Sequence, residues 1–346
     1  MDPSWPNAAG LDLFVSKAGV RIVLGFEDVH DLAGDAVRDS KIAALSAATD
    51  CQGGLCVIAL RERDVTAFVQ VVPTLKVDFA LVTLSTLDLP SNKGVHPLCF
   101  SAKTFDMVYN SPRLRAWYTQ NYDNSMPRGK MRLFPLGIDY HTLAGTPQQI
   151  QGVGGQDTFK STVGTITPKE QDANVKSIYA SNQPWSQRPH TLYVGAYAPT
   201  HATRASAEFK SIPVRIAGAL HVTKRKSRWG MVGDLGKSKF VLAPRGLGMS
   251  SIRLYEAVMV GAVPVCDRLA SPPMNLLHER LGAIIVDSWD QVNDANIFKW
   301  TKAIESKDYA SNPFTEHLGQ HNRTILTTRF WMNCVRSGKD CLGLTY

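Results

Sequence analysis

The chain has 346 residues, 44% of them hydrophobic and 20% charged. Those values exclude a disordered, fibrous or collagen-like protein and suggest about two domains, each able to bury a core without metal or disulfide support. The formal charge of +8 favours an anionic partner, meaning nucleic acid, a membrane surface or a phosphate-bearing small molecule.

No run approaches the ~18 apolar residues of a membrane span. The opening Met1-Asp2-Pro3-Ser4-Trp5-Pro6 lacks the basic flank and apolar run of a secretory signal. The expectation is a soluble, cytoplasmic chain, with the Golgi lumen open only if an N-terminal anchor has been removed.

In chain order, Val20 to Gly25, Gly54 to Leu60 and Val77 to Leu84 are continuous β-rich runs, as expected of strands buried on both faces. Arg132 to Gly137 is a shorter fourth, preceded by a predicted helix from Pro112 to Gln120. From about Thr146 to Pro189 the composition turns to Gln, Gly, Ser and Thr, the mark of a linker. Within it Thr167-Pro168-Lys169-Glu170 sets a cap, a proline at the first helical position and a glutamate at the third, so one helix begins there. A second block of predicted strands follows at His190 to Gly195, Val214 to Gly218, Lys239 to Ala243, Ala262 to Cys266 and Gly282 to Val286. Repeated strand and helix units indicate an α/β protein. Among the six cysteines, none in a Cys-x-x-Cys pattern, buried free thiols are expected in preference to short-loop disulfides at Cys51/Cys56 and Cys334/Cys341.

The most informative segment runs from Lys237 to Val265. It reads as a buried strand, a glycine-bearing turn, a helix capped by Ser250 or Ser251, a stop at Gly261 and a second buried strand. The turn Pro244-Arg245-Gly246, with Gly248, lets backbone approach a ligand closely. The helix that follows offers unpaired N–H groups and the positive end of its dipole to a phosphate. Arg253 can add a bidentate guanidinium, and Glu256, one turn on, can accept from ribose hydroxyls. A surface pair of Arg and Glu beside an ordinary glycine turn would leave the same local pattern.

This segment resembles the C-terminal nucleotide-sugar site of the exostosin-like glycosyltransferases. Pro244-Arg245-Gly246, Ser250, Arg253-Leu254-Tyr255-Glu256-Ala257 and Gly261-Ala262-Val263-Pro264-Val265 recur there in this order. Tyr193-Val194-Gly195-Ala196 with Arg204 is similar to the opening strand and loop of that domain. Arg115 to Asn121, followed by Phe134 to Asp139, is similar to a helix and strand near the end of the family's N-terminal domain.

The resemblance implies a GT-B fold, two Rossmann-like domains facing a central cleft. Residues 1–145 would form the acceptor-side domain, 146–189 the linker, 190–311 the donor domain, and 312–346 a segment crossing back to the first. It further implies a transferase that moves a sugar, such as xylose or another pyranose, from a UDP-sugar to a glycan hydroxyl with inversion. Donor contacts would fall on Gly195, Arg204, Pro244, Arg245, Gly246, Gly248, Ser250, Ser251, Arg253 and Glu256. Asp139, His141 and Asp88 each follow a predicted strand and are the candidates for the catalytic base.

No Asp-x-Asp occurs, so neither a metal nor another cofactor is expected, with Asp139-Tyr140-His141 the nearest approach to a metal pair. The basic run Lys224 to Trp229 reads first as solvated loop, second as a contact to the donor or an acidic acceptor and third as a nucleic-acid site, against which a single cluster argues. The alternatives are a GDP-fucose-type transferase, a non-catalytic nucleotide- or glycan-binding module, and an RNA-binding protein. The partners expected are a nucleotide-sugar donor and a glycan or glycoconjugate acceptor.

Overall fold

A computed structural model describes residues 46, 55–61, 65–84, 102–120, 122, 129–138, 168–224, 226–246, 248–305 and 328–342. The chain divides into two compact units, Met1–Glu170 with Thr327–Tyr346, and Gln171–Leu326. Both are α/β and each is built on a parallel sheet. Among the described residues no helix is long and apolar enough to cross a membrane.

In the first unit, β1 (Cys56–Arg61), β2 (Phe79–Leu84), β3 (Leu114–Thr119) and β4 (Met131–Leu133) lie side by side in chain order, all parallel. Helix α1 (Val65–Val71) follows β1, and α2 (Ala102–Tyr109) lies between β2 and β3. Val57, Ile58, Ala59 and Leu60 are all buried, which is why β1 is apolar at successive positions instead of alternating.

The helix predicted from Pro112 to Gln120 is instead strand β3. Its aromatic and β-branched residues Trp117, Tyr118 and Thr119 fit a pleated, fully buried surface, and the segment is too short to offer a helical face. The first part of the family-like segment, Arg115 to Thr119, is therefore a strand, and Phe134 to Ile138, where the resemblance implied a strand, follows the end of β4 without regular structure.

The end of the chain belongs to this unit. Helix α10 (Thr328–Ser337) buries Trp331 against Phe134, with ring centroids 5.8 Å apart, and the Tyr118 hydroxyl donates to the carbonyl oxygens of Cys334 and Lys339 at 3.0 and 2.7 Å. Cys334 and Cys341 form a disulfide with Cα atoms 5.5 Å apart, and Cys56 is also disulfide-bonded. The expectation of free thiols fails at these positions. Among the described residues the free cysteine is Cys266, which is buried.

Helix α3 (Pro168–Ser181) starts at the proline that marked it in the sequence and leads into the second unit. There the strands are β5 (His190–Val194), β6 (Ala219–His221), β7 (Ser238–Leu242), β8 (Val263–Asp267) and β9 (Ile284–Val286). They are ordered β6-β5-β7-β8-β9 and all parallel. Between them run α4 (Ala202–Ala205), α5 (Ala207–Arg215), α6 (Arg228–Gly236), α7 (Ile252–Met259) and α8 (Pro272–Arg280), with α9 (Asp294–Glu305) after β9.

Leu192, Val194, Phe240, Leu242, Val263 and Val265 form the sheet's share of a core that Phe209, Ile212, Trp289 and Ile297 cover. Val214 to Gly218 is not a strand. Ser206 caps a helix at Phe209, and Phe209, Ile212 and Ile216 recur at helical spacing to reach the core, while Val214 stays 89% exposed.

The strand order has a direct consequence. From β5 the chain crosses to β6 on one side, then returns to pair β7 on the other side of β5. The loops leaving β5 and β7 therefore diverge at their carboxyl ends, the switch point at which open α/β sheets bind ligands.

Candidate functional site

The loop after β5 starts at Gly195, where a Cβ would lie 3.0 Å from Tyr193 Cε1 and 3.3 Å from Tyr197 Cζ. The Tyr197 hydroxyl donates to the Leu242 carbonyl oxygen at the end of β7, joining the two strand ends across the switch point. Burial pushes the Tyr197 phenol well above its ordinary range, so it remains a protonated donor.

Arg204, on α4, lies over the Tyr197 ring at 5.4 Å. It donates to the carbonyl oxygen of Pro244 at 2.9 Å, to Thr200 Oγ1 at 3.1 Å and to the Ala198 carbonyl oxygen at 3.3 Å. His201 caps α4 by accepting at Nδ1 from the Thr203 amide at 3.2 Å, which leaves the neutral ring's proton on Nε2. Burial, then the nearby Arg245 charge, lower the His201 pKa, so the neutral imidazole is favoured.

The loop after β7 carries the second half of the site. The Arg245 amide donates to Asp267 Oδ1, at the end of β8, across 3.0 Å. Gly246 is buried, and a Cβ there would lie 3.0 Å from Arg204 Nη2, so a larger residue would press on the guanidinium that ties the two loops. Among the described residues the Arg245 guanidinium has no hydrogen-bond or ion-pair partner, although its Nε is shielded from solvent.

Ser251 is the cap of α7, accepting from the Arg253 amide at 3.3 Å. Ser250 faces the interior instead. Its Oγ donates to Tyr255 Oη at 3.4 Å and lies 3.0 Å from His278 Nε2, while His278 Nδ1 lies 3.6 Å from the Cys266 thiol. Protons placed consistently along this chain run from Cys266 to His278 to Ser250 to Tyr255, which satisfies each buried group in turn. Burial alone depresses the His278 pKa to about 4.

Glu256 is 3% exposed and takes one guanidinium on each oxygen, Arg253 on Oε2 at 2.5 Å and Arg228 on Oε1 at 2.9 Å. Each oxygen keeps a second lone pair, so a hydroxyl can still donate to it. Arg204, Arg228, Arg245 and Arg253 thus stand with two carboxylates, Glu256 and Asp267, on the segments that leave the carboxyl ends of the strands. The Arg245 and Arg204 charges both lower the His201 pKa, and the Arg253 charge lowers that of Arg204, as expected of three cations near one another. An anion there meets excess positive charge and the amino end of α7.

The structure places Gly195, and Arg204 on the short helix α4, with Pro244, Arg245, Gly246, Gly248 and Ser251 on the connections leaving β5 and β7. Arg253 and Glu256 follow in the first turns of α7. Ser250 departs from its expected place, because its hydroxyl is committed to the buried chain beneath the loop. The run from Lys224 to Trp229 is not simply solvated loop, since the Arg228 side chain is turned inward and only 9% exposed.

Tyr197, His201 and Asp267 are absent from the sequence-based expectations, and Arg228 enters them only through the second reading of the basic run, as a donor or acceptor contact. Of the first three, Asp267 alone left a trace in the sequence, as an acid ending a buried strand. Asp88, Asp139 and His141, the expected base candidates, lie outside the described residues.

No family model matches the chain, and no curated protein matches it by sequence. Solved structures do show likeness. One is a UDP-forming alpha,alpha-trehalose-phosphate synthase from Burkholderia vietnamiensis, with 11% identity, 89% of this chain and 82% of that one covered, and a TM-score of 0.40. Another is the N-terminal domain of Candida albicans trehalose-6-phosphate phosphatase, with 12% identity, coverage of 89% and 75%, and a TM-score of 0.41. A third is a UDP-forming synthase from Burkholderia xenovorans in complex with glucose-6-phosphate, with 14% identity, coverage of 90% and 78%, and a TM-score of 0.37.

Proposed function

We propose that the second unit holds the diphosphate of a nucleotide sugar, and that the chain is a glycosyltransferase of GT-B type. One observation carries the reading: Arg204 from the segment after β5, and Arg245 and Arg253 from the segment after β7, come to the switch point of a parallel sheet, beside the amino end of a buried helix. The resemblance of Pro244 to Val265 to the exostosin-like donor site supports the same reading and favours UDP.

In this proposal Arg253 and the α7 amides grip the diphosphate, and Arg245, which has no partner within the described protein, closes on it. Those charges stabilise the departing diphosphate as the glycosidic bond breaks, which is the main electrostatic demand of the reaction. Inverting transfer of xylose or another pyranose to a glycan hydroxyl would also need a base, assigned to Asp139, His141 or Asp88. The bonded cysteines Cys56, Cys334 and Cys341 favour an oxidising compartment over the cytoplasm expected from the amino terminus.

Thermal shift with UDP, GDP and ADP, followed by a donor-hydrolysis assay, tests the reading. Stabilisation by UDP with slow hydrolysis of a UDP-sugar supports it. Binding without turnover over a broad acceptor panel would make the chain a binding module. No stabilisation by any nucleoside diphosphate would overturn the donor site.

A further inference from the structure

Arg228 stands at the start of α6, in a basic run that the sequence presents as exposed. Its side chain is 9% exposed, and its Nη1 meets Glu256 Oε1 at 2.9 Å. The other oxygen of the same carboxylate takes Arg253 Nη1 at 2.5 Å. Two arginines from different helices therefore share one buried acid.

A carboxylate buried this deeply is costly unless it is fully paired. A single partner would leave it free to turn about its terminal bonds, and a second cation on the opposite oxygen removes that freedom. The Arg253 side chain has several rotatable bonds, and a carboxylate that cannot turn fixes the place and plane of the guanidinium edge that meets it. Two neighbours in the basic run are employed differently: Lys226 pairs with Asp234, and Ser227 caps α6 at Gly230.

We infer that Arg228 is a positioning residue for the anion site: through Glu256 it fixes the Arg253 guanidinium in the orientation that receives a diphosphate. This rests on the donor reading above and adds to it a residue outside the glycine turn and α7. Arg228 need not touch the ligand. Its contribution is conformational entropy already removed before binding.

The test is a double-mutant cycle read by calorimetric titration with UDP, with melting temperature recorded for each protein. Arg228→Gln should weaken UDP about tenfold and, because it leaves the buried Glu256 with one cation, lower the melting temperature as well, and Arg228→Lys should recover part of both losses. In an Arg253→Gln background, Arg228→Gln should cost no more than about a further twofold, because the group it positions is gone.

Losses that simply multiply would overturn the inference while leaving the donor site standing. Unchanged UDP affinity in folded Arg228→Gln would do the same. A wild-type protein that binds UDP, GDP and ADP not at all would overturn both. If Arg228→Gln does not fold, Arg228→Lys carries the cycle in both backgrounds, with the same non-additivity expected and the same multiplicative result fatal.

Discussion

Arg204 Nη2 donates to the carbonyl oxygen of Pro244 across 2.9 Å, so a side chain from the loop after β5 holds the turn after β7. Arg204→Ala removes that tie and its bonds to Thr200 and Ala198 together. Hydrogen bonds made by charged groups contribute on the order of 2 kcal/mol each, so both stability and anion affinity should fall. Urea denaturation and UDP titration of the same preparation would measure the two losses. An unchanged denaturation midpoint would show that the loops stay together without this bond.

Arg245 differs in kind from Arg204. Its guanidinium has no protein partner among the described residues, so Arg245→Ala should change stability by no more than about 0.5 kcal/mol. UDP affinity should fall by about 1.5–3 kcal/mol, the size of a lost charge-assisted contact. Equal losses in stability and binding would mean that Arg245 serves the fold.

At Gly261 the backbone has φ of 73°, and a Cβ would lie 3.1 Å from both Arg188 Nη2 and Tyr179 Cε2. Gly261→Ala should cost at least about 1–2 kcal/mol from the left-handed backbone alone. Arg188 would also be pressed, and it donates to the carbonyl oxygens of Ser238 and Val260 at 3.0 and 2.8 Å. Chemical denaturation gives the number, and a wild-type midpoint would show that the stop after α7 tolerates a side chain.

His278 makes the second unit sensitive to acid. Its folded pKa is depressed by burial to about 4, while the unfolded value is near 6.5. Above pH 6.5 both states are neutral and stability does not respond to this group. As pH falls from 6.5 toward 4 the unfolded chain binds a proton that the folded chain refuses, so stability drops by up to roughly 3 kcal/mol. His278→Asn should be less stable at neutral pH, because the link between Cys266 and Ser250 is broken, and should show a flatter profile across that window. A wild-type slope retained in the variant would assign the acid response elsewhere.

Much of the chain from Pro168 through the second unit was legible because its signals are local. Pro168 opens α3, Ser251 caps α7, Gly261 ends it, and the runs around Leu192, Phe240, Val265 and Ile285 lie in parallel strands. The misreadings are local ambiguities that burial resolved. Leu114 to Thr119 became a strand because both of its faces are covered, and Val214 was absorbed into a helix because Phe209, Ile212 and Ile216 needed one common face. At the site, glycines and arginines stood out as residue types, but nothing near Glu256 in the chain announces that Arg228 reaches it.

What the amino-acid order settles alone is short in range: where helices start and stop, which runs are buried on both faces, and that a glycine turn with arginines precedes a capped helix. Those features depend on backbone torsions and on spacing within a turn or two. The strand order that puts the loops after β5 and β7 side by side, the sharing of Glu256 between α6 and α7, and the withdrawal of Ser250 into a buried chain belong to the tertiary structure. Each is a contact between segments whose separation along the chain carries no signal, and each exists because buried polar groups must find partners wherever the packed core brings them.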